Sequence, residues 1–70
     1  FDVILANINK NILISQIPSY ITVLNENGDL FLSGLMEQDY NDIYTFCTDR
    51  GLKFVSKKQR NEWISLHFKK

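Results

Sequence analysis

Seventy residues carrying eight basic and eight acidic side chains make one domain at most, with no net charge. A chain this short buries only about 60% of its unfolded surface, and its single cysteine, Cys47, cannot form an internal disulfide. The charge balance removes any whole-domain attraction to nucleic acid or membrane, and no apolar run approaches the ~18 residues that a bilayer span needs. No cysteine–histidine cluster suggests zinc, and a lone free thiol fits a reducing, cytoplasmic setting. The chain shows no secretory leader and no initiator Met, and it opens one residue before a strand, which reads as a fragment.

The first element is a short apolar run, Asp2-Val3-Ile4-Leu5-Ala6, β-branched in its middle. Its continuity predicts a strand covered on both faces, as in a parallel sheet. Asn7 follows at the strand's carboxyl end, the edge at which open α/β sheets place their ligand chemistry.

Asn9 then caps a helix from about Lys10 to Leu24, with Ile14, Ile17, Ile21 and Leu24 at helical spacing and Leu13, Tyr20 and Val23 widening the stripe. Pro18 removes one backbone bond, predicting a kink or a second helix starting there. Asn25-Glu26-Asn27-Gly28-Asp29 stops the helix, and Leu30–Gly34 is a second strand, with Gly34 allowing close backbone approach at its end.

Glu37–Arg50 reads as a second helix with a core face of Tyr40, Ile43, Tyr44 and Cys47 and with Gly51 as its C-cap. Leu52–Lys57 alternates as an edge strand with lysines facing water. A polar corner, Lys58 to Asn61, leads to Glu62–Phe68, where Ile64, Leu66 and Phe68 share one face and Trp63, Ser65 and His67 the other. The short connection permits only an antiparallel hairpin. The order is β-α-β-α-β-β, with right-handed parallel crossovers before the reversed last strand.

This order, with "FDVILANI" (Phe1–Ile8), "LFLSGLMEQD" (Leu30–Asp39) and "RNEWISLHFKK" (Arg60–Lys70), resembles the C-terminal part of the ribosomal protein L11 methyltransferase family. Ala-Asn-Ile, Ser-Gly-Leu and Glu-Trp in register carry the likeness, which covers essentially the whole chain. The resemblance implies an α/β fold, the C-terminal half of a Rossmann-like methyltransferase, with a mostly parallel sheet and an antiparallel last strand. It implies S-adenosylmethionine as methyl donor and ribosomal protein L11 as substrate, methylated on lysine side chains and its N-terminus. By position it makes Asn7 the asparagine contacting the donor near the transferred group.

Related amino-methylating enzymes carry a proline pair after that asparagine, where this chain has Ile8-Asn9. The family's Pro-Gly-Gly turn is replaced by Glu26-Asn27-Gly28. The glycine-rich donor loop and the acidic ribose ligand would lie upstream of Phe1, so residues 1–70 are expected to hold one wall of the site and to be inactive alone. Removal of the partner strands would leave the edge of Asp2–Asn7 exposed and drive self-association.

From spacing alone, Asn7 also reads as a turn residue, Asn9 as a cap, Cys47 as an inert core thiol and His67 as a packed or surface histidine. Trp63 is expected to pack beneath the helices. Lys57, Lys58, Arg60, Lys69 and Lys70 read as a solvated edge, and Asp39 and Asp42 lack the burial of catalytic carboxylates. A related methyltransferase acting on RNA or a small molecule, or a non-catalytic interaction module, are the other readings the residues permit.

Overall fold

The computed structural model describes residues 1–7 and 9–70. Ile8, the last residue of the Ala-Asn-Ile run, lies outside the described residues. Strand β1 (Val3–Asn7) is followed by helix α1 (Lys10–Val23), strand β2 (Asp29–Met36), a single 3₁₀ turn (Glu37–Asp39), helix α2 (Tyr40–Asp49) and strands β3 (Lys53–Arg60) and β4 (Trp63–Lys69). They form one four-stranded sheet in the order β1-β2-β4-β3. β1 and β2 are parallel, whereas β4 runs antiparallel to both of its neighbours. The last strand therefore folds back between the second and third, and β1, β2 and β3 all point the same way.

Both helices lie on one face. Ala6, Leu30, Leu32, Leu35, Ile64, Leu66 and Phe68 from the strands form one buried cluster with Leu13, Ile17 and Leu24 from α1 and its end and Ile43 and Cys47 from α2. Each leucine, isoleucine or phenylalanine among them contributes roughly 1.5–3 kcal/mol by leaving water. The opposite face is open, and this corrects the expectation for β1. Ile4 and Ala6 turn inward, but Val3 is 50% exposed and Leu5 76%. Val3–Ala6 is apolar throughout yet covered on one side only, because no element among the described residues crosses the far face.

α1 is one helix and not two, running through Pro18 without a break. Proline lacks only its own N–H, so one intrahelical bond is lost while the buried anchors Leu13 and Ile17 hold the turns before it. The helix's last carbonyls find a partner from the far end of the chain: Lys70 Nζ donates to Ile21 O at 2.7 Å and Leu24 O at 2.9 Å. Asn27 (φ 63) turns the chain into β2.

Gly34 is not at a strand end as expected. It lies inside β2 with φ 77, at a bulge where the register to β4 shifts between Leu32 and Leu35. The left-handed residue lets the strand bend and run on to Met36.

α2 closes as its sequence suggests. Gly51 (φ 91) donates to Thr48 O and Leu52 N–H to Cys47 O, the paired bonds of a glycine C-cap, while buried Leu52 packs into the same core. The β3–β4 hairpin is longer than expected. Lys58–Arg60 is strand and not corner, and the chain turns through Asn61 (φ 57) and Glu62. None of the helices is long and apolar enough to cross a membrane, among the described residues.

Candidate functional site at the carboxyl edge of the sheet

Parallel pairing sets Asn7, the last residue of β1, beside Ser33, just before the bulge through which β2 runs on to Met36. Alternation along β1 puts Asn7 on the same face as Val3 and Leu5, away from the helices, and its side chain is exposed. The strand hands over to α1 within two residues. Asn9 is in extended conformation, and its Oδ1 accepts from Ile12 N–H at 3.1 Å, so it caps the helix as its position suggested.

Lys10, the next residue, donates from Nζ to Asp42 Oδ2 in α2 at 2.6 Å. That hydrogen bond, with the negative charges of Asp42 and Asp39, raises the Lys10 pKa above its ordinary value despite partial desolvation. On the α2 side, Asp39 Oδ2 accepts from Met36 N–H at 3.1 Å, and Glu37 N–H donates to Glu62 O at 2.9 Å. These contacts bring the end of β2 and the β3–β4 turn to one edge.

A crevice of about 410 Å³ opens there, lined by Asn9, Lys10, Asn11, Gly34, Met36, Asp39 and Trp63. Trp63 is 56% exposed. It does not pack beneath the helices: it begins β4 opposite Met36, on the side of the strand facing away from the buried Ile64.

The edge offers amides, a hydroxyl and an aromatic ring. Its acids and its lysine are engaged with backbone or with each other. Cys47 lies in the core, where burial pushes its thiol up to about 12, so it is not a nucleophile at neutral pH. Such an edge can orient a reacting group but has no built-in covalent catalyst.

His67 lies away from this edge. Its Nε2 is 2.8 Å from Asp29 Oδ1, which also accepts from Lys69 Nζ at 2.8 Å, and its ring stacks on Phe31 at 4.1 Å. The hydrogen bond accepted from Lys69, followed by that accepted from His67, lowers the Asp29 carboxyl below its ordinary range. The sequence does not reveal this cluster, because it depends on the β2–β4 register, which sets Asp29 opposite Lys69 and Phe31 opposite His67.

The expected solvated basic edge holds for Lys57, Lys58 and Arg60, which are exposed, and is corrected for Lys69 and Lys70. Lys69 is tied to Asp29, Lys70 to the end of α1, and Lys57 Nζ lies 4.5 Å from the centre of the Tyr40 ring.

Among curated proteins, the ribosomal protein L11 methyltransferase of Phocaeicola vulgatus is 37% identical over 68 residues, covering 97% of this chain and 24% of that protein. The protein of the same name from Porphyromonas gingivalis is 41% identical over 69 residues, 97% of this chain and 23% of that protein. The chain thus spans about a quarter of the length of the curated relatives it matches. The crystal structure of ribosomal protein L11 methylase from Lactobacillus delbrueckii subsp. bulgaricus superposes with a TM-score of 0.92 at 31% identity, over 97% of this chain and 35% of that one. Residues 1–70 match the family described as Ribosomal protein L11 methyltransferase (PrmA) from end to end, and the chain belongs to that family.

Proposed function

We propose that residues 1–70 are the C-terminal part of the catalytic domain of an S-adenosylmethionine-dependent protein methyltransferase. The intact protein methylates lysine and N-terminal amino groups of ribosomal protein L11. The observation that carries this reading is the end-to-end match to relatives bearing that name, joined to a close structural likeness. The open carboxyl edge supports it physically, since open α/β sheets bind their ligands there.

The residues present suit one wall of a donor site. Asn7 is exposed at the end of β1, Ser33 is its neighbour across the ladder, and the crevice is lined by residues that follow them in the chain, Asn9 and Gly34. When bound, S-adenosylmethionine supplies an electrophilic methyl group. The chain's own part is placement. The Asn7 carboxamide can accept from an amine N–H and so aim the nitrogen lone pair, and such alignment accounts for much of the rate in a direct transfer. The glycine-rich loop and the acidic ribose ligand belong, in this reading, to the portion preceding Phe1.

The 70-residue chain alone is therefore inactive and binds the donor weakly or not at all. By itself it also self-associates through β1, which stands at the margin of the sheet with Val3 and Leu5 exposed. A sedimentation mass that stays monomeric at every concentration would contradict that association.

The test of function incubates ribosomal protein L11 with methyl-labelled donor and either the protein from the complete coding sequence or the 70-residue chain. Label on L11 with the first and none with the second is expected. An intact protein that leaves L11 unlabelled overturns the assignment.

A further inference from the structure

Lys10 occupies the first position of α1, where unpaired N–H groups and the helix dipole already present positive charge. A cation is disfavoured there, and α1 has no acidic residue in its first turn to offset it. The compensation comes from the other helix. Lys10 Nζ donates to Asp42 Oδ2 at 2.6 Å, and Asp42 lies in the first turn of α2, where negative charge suits the local field. Among the described residues this is the one side-chain hydrogen bond joining α1 to α2.

Its two ends belong to the two sides of the carboxyl-edge crevice. Lys10 follows the capping residue Asn9, and both line the crevice. Asp42 stands on the helix entered through Met36 and Asp39, which line it from the other side. We propose that Lys10–Asp42 is a positioning clamp: it holds the start of α1, with its capping residue Asn9, against the α2 side and fixes the width of the crevice. The consequence for amine alignment rests on the methyltransferase reading; the clamp itself does not.

Lys10 and Asp42 side chains remain 31% and 64% exposed, so the pair adds little to global stability and its signature is local. The amides of Ile12 and Leu13 report on it, because they donate to Asn9 Oδ1 and Asn9 O. Hydrogen exchange at these amides is compared in the wild type, Lys10→Ala, Asp42→Ala and the double variant. Exchange about two- to five-fold faster in each single variant, with no further gain in the double, is expected. Lys10→Arg restores the wild-type rate.

Deleting a cation from a helix N-terminus would by itself slow exchange, so acceleration in Lys10→Ala marks the clamp. Unchanged or slower exchange in Lys10→Ala, or effects that multiply in the double variant, overturns it. In the intact protein, Lys10→Ala lowers kcat while the donor KM and Tm hold, and Lys10→Arg preserves kcat. An unchanged kcat alongside faster exchange overturns the link to catalysis. If the wild-type intact protein transfers no methyl group, the functional reading falls and the exchange cycle still decides the clamp.

Discussion

The two faces of the sheet are built by the same strands and do opposite things. On the helix side, Leu30, Leu32, Leu35, Leu66 and Phe68 are essentially removed from water and meet Leu13, Ile17, Ile43 and Cys47. On the far side, Leu5, Phe31 and Trp63 stand open among Ser33, Ser65 and His67. Burial, and with it most of the stability, is concentrated on the first face. The far face and the carboxyl edge are thereby free to carry polar and aromatic groups that stability alone would not select.

The largest effect expected from this asymmetry is at Phe68, fully buried and edge-on to Phe54. Phe68→Ala should cost about 3–5 kcal/mol, seen as a collapse of the urea midpoint or loss of the folded spectrum. A shift within error would mean that the helix-covered face does not hold the fold.

Cys47 comes next. Its folded pKa of about 12 stands above its ordinary 9.0 because burial disfavours the thiolate. The unfolded chain then loses its proton first. This contribution to stability is complete below pH 9 and is lost between there and about pH 12. Urea midpoints should fall across that window, with a gentler fall in Cys47→Ala. Parallel profiles for the two proteins would contradict the burial argument.

At the edge, Asn9→Ala removes a helix cap and should cost about 1 kcal/mol, with faster exchange at Ile12. The smallest effect belongs to the open face. Leu5→Ser should change monomer stability by no more than about 0.5 kcal/mol while weakening self-association in sedimentation. A large stability loss there would erase the distinction between the faces.

The residues that announced themselves in the sequence were those whose local chemistry has one common solution. Asn9 caps, Gly51 ends a helix, and Ile43 and Cys47 fall one turn apart on an apolar stripe. The reversal of the last strand followed from connection length, whereas its insertion between β2 and β3 did not. What stayed hidden depended on partners distant in sequence. Lys58–Arg60 joins the ladder because β4 supplies its bonds, which polarity at a sheet margin does not reveal. Gly34 signalled a special conformation, but only pairing with β4 shows it as a bulge inside the strand. Trp63, expected beneath the helices, alternates with buried Ile64 and so stands on the open side.

Of the candidate site, Asn7's position at the strand end was readable from the sequence, and its neighbours were not. Ser33 enters through parallel register and Lys10–Asp42 through helix packing. Neither relation has a signature in local spacing.

The most direct measurement is methylation of ribosomal protein L11 by the intact protein with Asn7 unchanged or replaced by Ala, alongside a check that both are equally folded. If Asn7 aligns the reacting amine at the carboxyl edge, kcat/KM falls by about 10²-fold without loss of stability. Wild-type kcat/KM in Asn7→Ala would contradict the assignment of the site to this edge.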